Sequence, residues 1–351
     1  MSNSTIKINN RIIGPGFPVY VIAELSANHN QDFEAAIELI HAAKAAGADA
    51  VKIQTYTADT LTISCSNEHF IIGKGTPWEG RSLYDLYQEA YTPWEWQSDL
   101  MKTALQAGLD FLSTAFDPTS VEFLEAMDVP AYKIASFELV DHDLLKLVAR
   151  TNKPVILSTG MGTFDEIKEA VGVIRGENNP NIVLLKCTSA YPALPEDMNL
   201  VTITDMSESF GVPVGLSDHT LNTVVPVVAV ALGATIIEKH FTISRKTPGP
   251  DSAFSLEPGE FREMVDAIRI AEQSLGRVTY DGGPHELASR KFRRSLFFIK
   301  DIISGEIVTK DHIRSIRPGY GLLPKYLKEI LGKRVKRAIP RGTPVQWDQF
   351  L

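Results

Sequence analysis

The 351-residue chain has two cysteines, Cys65 and Cys187. They are too few and too widely spaced for a disulfide framework or a thiolate zinc site, which accords with a reducing compartment. No apolar run approaches the roughly eighteen residues of a membrane span. The polar opening MSNSTIKINN carries no secretory hydrophobic region, so a cytoplasmic location without a membrane partner is expected. Neither a GxxxxGKS/T loop nor a GxGxxG following a strand occurs, which disfavours nucleotide phosphates as ligands. The formal net charge of −8 argues against general nucleic-acid binding.

What is present is enough apolar sequence, 44%, to bury a full core, in a chain long enough for one large domain and a small one. The charge is unevenly spread. From His285 onward there are 15 Lys and Arg against 6 Asp and Glu, net +9, leaving 20 against 37, net −17, for residues 1–284. Opposite signs suggest a basic module of residues 285–351 docking on an acidic body of residues 1–284. The alternative, a basic tail for RNA or another polyanion, fits the apolar patterning and turn signals of that segment less well.

Along the body, short runs rich in Val and Ile alternate with helical patterns. PVYVIAEL precedes a helix that stops at Gly47, DAVKIQT follows, and residues 56–93 form a long aromatic excursion, read as a lid, a pocket wall or a packing elaboration. Then come DFLSTAF, AYKIAS, PVILSTG, NIVLLKCTSAYP, GVPVGLSDHT and ATIIEKHF, each followed by a helical stretch. Eight strand–helix units predict an α/β fold, a (β/α)8 TIM barrel. A doubly wound open sheet competes but explains less, because polar residues stand at the carboxyl end of nearly every strand, and a barrel gathers such ends into one ring. From His285 the texture becomes short apolar runs between Gly and Pro turns, predicting a small β-rich module with a pseudo-repeat, DIISGEIVTKDHI and AIPRGTPVQWDQF.

The ring residues point to chemistry. His219 and His240 follow neighbouring strands and can converge on one metal ion. Taken singly, one reads equally well as a helix cap and the other as a core histidine, but Ser217, Asp218 and Glu238 accompany them, the last placed to hold an imidazole or to ligate. Two imidazoles with oxygen ligands suit Mn2+, with Mg2+ or Co2+ as alternatives, better than a closed zinc site. Lys52 and Lys133, with hydroxyls of Thr114, Ser136, Ser158, Ser189 and Ser217, suit a phosphate together with a carboxylate. Glu24, Glu138 and Asp251 remain for sugar hydroxyls or proton transfer.

At this point IAELSANHNQ, GADAVKIQTYTADTLT, AYKIASFE, LSTGM, LKCTSAYP, VGLSDHT, VALGATIIEKHF, DSAFSL, RRSLF and SIRPGYGLLPK together resemble the sialic-acid synthase family of nonulosonic acid synthases, over essentially the whole chain. The resemblance implies a metal-dependent condensation of phosphoenolpyruvate with an acetamido sugar, releasing phosphate. It also implies a barrel followed by a small domain resembling type III antifreeze protein, in a domain-swapped homodimer whose cap covers the partner's site. Carried over by motif, His219 and His240 are the metal ligands, and Lys52, Gln54, Thr114, Lys133, Ser136, Ser158 and Ser217 the phosphoenolpyruvate contacts. Ser189 stands where the family places an Asn in its CTxxYP motif. Glu24, Glu138, Tyr191, Asp251 and Arg317 are the sugar-side residues, with Glu24 and Glu138 the candidates for catalysis. The segments IAELSANH, YDLYQEAYTPWEW, KIASFE and DSAFSL point to the branch whose sugar is 6-deoxy; branches acting on N-acetylmannosamine or a legionaminic-type sugar are the alternatives. Two other classes stay in view, a non-catalytic carbohydrate-binding protein and an aldolase forming a Schiff base on Lys52 or Lys133.

Overall fold

The computed structural model describes residues 5–351, which divide into two compact units at Gly276/Arg277. The first is a closed barrel of eight parallel strands: β3 (Tyr20–Glu24), β4 (Ala50–Thr55), β5 (Asp110–Ala115), β6 (Tyr132–Ile134), β7 (Val155–Ser158), β8 (Ile182–Cys187), β9 (Val214–Asp218) and β10 (Ile236–His240), with β10 closing on β3. Helices follow the strands, and the alternation read from the sequence becomes a (β/α)8 barrel. Among the described residues no helix is long and apolar enough to cross a membrane.

Because strand side chains alternate faces, each strand serves two environments. Outward residues such as Val21, Val51, Phe111, Ile134, Leu157, Leu184, Leu216 and Ile237 join the apolar faces of the helices in one large core. Inward residues change character along the strand. Near the amino ends Tyr20, Ile22, Ala50, Leu112, Ala131, Ile156, Val183, Leu185 and Ile236 form a second apolar cluster. The residues two further along face a polar mouth at the carboxyl ends.

The chain's lead-in, unassigned by its sequence pattern, is an antiparallel hairpin, β1 (Ile6–Ile8) and β2 (Arg11–Ile13), turning at Asn9, whose φ is 49°. Ile6, Ile8 and Ile13 join the inner cluster, so the hairpin plugs the amino end of the barrel. Arg11 and Arg269 both bind Asp49, and Tyr20 hydroxyl donates to Asp110 at 2.8 Å, tying plug, strands and last helix together.

The second unit, from Arg277, holds one antiparallel pair, β11 (Ser295–Phe298) and β12 (Ile313–Ile316), around a core of Leu296, Phe298, Ile302, Val308, Ile313, Ile330, Val335, Ile339, Val345 and Phe350. The rest of its β character lies in isolated bridges, because Gly and Pro interrupt each run after a few residues. The two pseudo-repeat segments pair with each other there: Ile302 and Ile339 exchange backbone hydrogen bonds, N to O, at 3.0 and 2.9 Å.

Gly215 shows how tightly the barrel interior is filled. A Cβ added there would lie 2.5 Å from the Ile236 carbonyl oxygen and 2.7 Å from Leu185 Cδ2. Backbone cannot yield as a flexible side chain does, so Gly215→Ala is expected to cost about 1–3 kcal/mol in denaturant unfolding. A loss below about 0.5 kcal/mol, the range of ordinary surface changes, would show that the barrel relaxes freely at that point.

Candidate functional site

At the carboxyl end of the barrel a cavity is lined by Glu24, Lys52, Gln54, Thr114, Phe116, Lys133, Ala135, Ser136, Phe137, Ser158, Cys187, Tyr191, Ser217, His219, Glu238 and His240. Eleven of the sequence-predicted site residues are on this wall. Six of the eight barrel strands supply the residue two positions after their last apolar inward one: Glu24 after Ile22, Lys52 after Ala50, Thr114 after Leu112, Lys133 after Ala131, Ser158 after Ile156, and Glu238 after Ile236. The register places Glu24 opposite both Lys52 and His240, and Thr114 opposite Gln54 and Lys133.

The floor is a buried charge cluster. Lys52 forms an ion pair with Glu24 and donates to Thr114 Oγ1 at 2.9 Å; its Nζ is 3.8 Å from Glu238 Oε1. Lys133 Nζ is 3.9 Å from the same oxygen, which also accepts from Ser217 Oγ at 3.1 Å. Burial works against every charge here, and the outcome depends on the neighbours. For Glu238 the two lysines and the serine outweigh burial and hold the carboxyl below its usual range. For Lys52 the two carboxylates outweigh it and push the ammonium up. For Glu24 burial prevails over Lys52, and the carboxyl rises. For Lys133 burial prevails over Glu238, with Lys52 adding to it, and the ammonium falls. Lys133 is the under-compensated cation of the cluster, on the wall facing the cavity.

Glu238 corrects one expectation. It does not hold an imidazole but stands between the lysines, whereas the Nδ1–H of His219 donates to the Thr188 carbonyl at 2.9 Å. Since a carbonyl only accepts, that bond leaves Nε2 as the lone-pair nitrogen of the neutral ring. The His219 and His240 ring centroids are 5.4 Å apart. Burial holds His240 far below the ordinary histidine range, hence neutral, and its buried Nδ1 has no hydrogen-bond partner. Two neighbouring imidazoles, one with an orphaned nitrogen, fit a shared cation. Among the described residues no group of three or more His, Cys, Asp or Glu forms a metal cage, so such an ion would complete its shell with water or substrate.

Other buried polar atoms without partners concentrate at this mouth: Ser158 Oγ, Glu238 Oε2 and, on the short helix after β6, Glu138 Oε2. Buried groups of this kind are costly unless a ligand satisfies them. Ser136 Oγ accepts from Gly160 N at 3.0 Å, and a Cβ on Gly160 would fall 2.2 Å from Ser189 Oγ, so the glycine lets the two serines approach. Ser189 and Glu138 adjoin the cavity without lining it. Asp251 is bonded to Ser26, whose hydroxyl accepts from Gln54 Nε2 at 3.0 Å, while the same amide donates to Glu24 at 3.2 Å. Asp251 therefore reaches the mouth through Gln54. Arg317 belongs to the second unit.

Sequence reasoning missed four features. Cys187 lines the cavity beside His219, a position the period of two along β8 marks. Phe254 stacks edge-on against His240 at 5.0 Å, beside Tyr191, which the sequence did mark and which lies 4.4 Å from His219. Trp78, from the excursion, completes an aromatic group at 5.5 Å from Tyr191 and 6.0 Å from Phe254. Finally, Lys239 and Asp218, next in sequence to the two histidines, point outward and pair at 2.5 Å, both side chains fully buried. Lys239 Nζ also binds the Thr220 carbonyl, and Asp218 Oδ1 accepts from Thr220 N at 2.9 Å, so the pair clamps the loop that carries His219 to the strand that carries His240.

Comparison with known proteins gives consistent matches. The NeuB family model matches residues 39–280 and the SAF domain model residues 293–351. The chain is 47% identical to the pseudaminic acid synthase of Campylobacter jejuni subsp. jejuni serotype O:23/36, over 95% of this chain and 96% of that one. With the pseudaminic acid synthase of Helicobacter pylori it shares 46% over 95% and 98%, and with the N,N'-diacetyllegionaminic acid synthase of Legionella pneumophila 36% over 96% of each. The crystal structure of N-acetylneuraminic acid synthetase from Leptospira borgpetersenii superposes with a TM-score of 0.73 at 30% identity, covering 82% of this chain and 95% of that one.

Removing one partner of the buried Lys239–Asp218 pair leaves a charge in an apolar layer. Lys239→Met is expected to cost about 3–5 kcal/mol, and Lys239→Met combined with Asp218→Leu less than the single change. Urea unfolding of the variants checks this; a double variant as destabilised as the sum of two singles would mean the two groups are not coupled.

Proposed function

Because the chain belongs to the NeuB family, we propose that it is a pseudaminic acid synthase, condensing phosphoenolpyruvate with 2,4-diacetamido-2,4,6-trideoxy-altropyranose to give pseudaminic acid and phosphate. The observation that carries this reading is the 46–47% identity to synthases of that name over 95% of the chain, against 36% to a legionaminic acid synthase. The barrel mouth supplies the chemistry the reading needs.

Phosphoenolpyruvate brings a phosphate and a carboxylate. Lys52 and Lys133, with Thr114, Ser136, Ser158, Ser217 and Gln54, line the cavity as donors for both, and Ser189 supports that wall through Ser136 and Gly160. An anion beside Lys133 offsets the burial that pushes its ammonium down. A divalent cation of the Mn2+ type, held by His219 and His240, supplies Lewis acidity to the sugar's carbonyl when bound. The enol carbon attacks the aldehyde of the open-chain sugar, water adds to the phosphate-bearing carbon, and phosphate departs by C–O cleavage. Glu24 and Glu138 are the proton-handling groups: burial raises both, Glu138 to about 7. Tyr191 and Asp251 stand on the sugar side. The reading extends to a cytoplasmic homodimer in which the cap of one chain brings Arg317 to its partner's mouth, in keeping with the net charges of −17 and +9 on the two parts of the sequence.

The direct test is a substrate panel followed by phosphate release and product mass. The 2,4-diacetamido-2,4,6-trideoxy-altrose substrate is expected to give the highest kcat/KM, dependent on added Mn2+ after chelation; faster turnover of N-acetylmannosamine or the legionaminic precursor would sink the assignment. For Glu138 the sign follows from its raised carboxyl, protonated below about pH 7 and ionised above it. Acting as a base, it makes kcat/KM climb through that pH, and Glu138→Gln flattens the limb with a loss of about 10²–10⁴-fold. A variant that keeps both limb and rate removes Glu138 from proton transfer.

A further inference from the structure

The cavity has two chemically distinct sides. One is the donor set around Lys52 and Lys133. On the other, beyond the histidine pair, Tyr191 lines the cavity 4.4 Å from His219 and an aromatic group continues outward behind it: Phe254, 5.0 Å from His240, and Trp78, 5.5 and 6.0 Å from the Tyr191 and Phe254 rings. Trp78 comes from the excursion, on a loop closed by the Ile71–Ser82 bridge and by the Ile72 N to Arg81 O bond of 2.8 Å. Its neighbours from Gly73 to Gly80 are exposed, and Trp78 alone among them is half-buried. Its indole N–H donates to the Pro250 carbonyl at 2.7 Å, which spends its polar end on the loop after β10 and leaves the ring as an apolar face.

We infer that Trp78 is a specificity-determining residue that reads the apolar, deoxygenated far end of the sugar. This rests on the reading of the site as a nonulosonic acid synthase acting on a 6-deoxy sugar. The depth ordering carries it. A six-carbon open chain with its aldehyde at the histidine pair extends about 6 Å, and a methyl at its end makes contact across about 4 Å more, which spans the 4.4 Å from His219 to Tyr191 and the 5.5 Å from Tyr191 to Trp78. A methyl there meets an indole face with no donor or acceptor left to satisfy. A hydroxymethyl at the same place loses its water and gains no partner, which is costly. The indole is held from two sides, by Pro250 and by the Tyr191–Phe254 pair, so its face is preformed.

The test compares 2,4-diacetamido-2,4,6-trideoxy-altrose with its 6-hydroxy counterpart on the intact enzyme and on Trp78→Ala and Trp78→Phe, measuring kcat/KM for each sugar and the KM for phosphoenolpyruvate. Trp78→Ala is expected to lower kcat/KM for the 6-deoxy sugar by about 10–200-fold, the worth of an apolar contact of this size, and to collapse the preference over the 6-hydroxy sugar. Trp78→Phe restores most of the preference, and the KM for phosphoenolpyruvate stays within about twofold throughout, since its donors lie on the other wall. Equal losses on both sugars, or an unchanged ratio in Trp78→Ala, overturn the inference while leaving the synthase reading intact. A parent enzyme that shows no preference for the 6-deoxy sugar overturns the reading beneath it.

Discussion

Four ionisable side chains share a few ångströms of barrel interior, and the site is organised around the cost of keeping them charged. Two lysines and two glutamates, each nearly inaccessible to water, form a cluster in which Glu238 satisfies both cations at once while Glu24 serves Lys52. Breaking any one contact would leave a buried charge uncompensated, a loss of several kcal/mol. The balance is uneven: Glu238 and Lys52 hold their charges, Glu24 is drawn toward its neutral acid and Lys133 toward its neutral amine. On the proposed reading, the missing negative charge near Lys133 is the one that phosphoenolpyruvate brings, so that substrate binding and charge compensation are one event.

That cluster exists because a period of two runs round a closed parallel sheet. One face of every strand feeds the apolar layer under the helices, and the other begins apolar, against the hairpin plug, and ends polar. The changeover falls between Ile22 and Glu24, Ala50 and Lys52, Leu112 and Thr114, Ile156 and Ser158, and Ile236 and Glu238, so it forms a level ring. A plugged lower half keeps water out of the floor; an open upper half admits substrate. Gly215 belongs to the same geometry, since its missing side chain is the room that Leu185 and Ile236 occupy.

This explains which parts were legible in the amino-acid sequence. Inward residues at strand ends have fixed parity, so Lys52, Lys133, Thr114, Ser158, Ser217, His219 and His240 could be placed by counting, and Cys187 shares that parity although it was passed over as a mere marker of redox compartment. Partner identity was not legible in the same way. Glu238 has the parity of His240, yet its partners come from β4 and β6, across the barrel rather than along the strand. Lys239 and Asp218 sit on the outward parity, where apolar residues are the rule, and nothing local distinguishes a buried pair from two surface charges. The hairpin escaped notice because three-residue strands carry too little periodicity to register. Trp78 lay in a stretch without any period at all, where only its aromatic character among small and polar neighbours hinted that something must cover it.

The two kinds of residue also divide the work of recognition. On the proposed reading, the groups assigned to phosphoenolpyruvate stand mostly on strands, whose positions are locked by hydrogen bonds to two neighbours, with Ser136 and Ser189 just beyond strand ends. The groups that reading assigns to the sugar, and the aromatic residues around them, stand on loops: Tyr191 after β8, Asp251 and Phe254 after β10, and Trp78 in the excursion. A loop tolerates substitution and insertion with little cost to the barrel, whereas a change to the ring disturbs a charge cluster shared by four strands. Yet the loops here are not loose. Asn28 in the loop after β3 donates to the Phe241 carbonyl at 2.9 Å and to Ser255, Gln31 reaches back to the excursion at Glu89, and Trp78 is pinned to Pro250, so three separate loops brace one another above the mouth. Bracing of that kind lets a variable element present a rigid surface, the condition under which an apolar contact can discriminate a methyl from a hydroxymethyl and is not averaged away by motion.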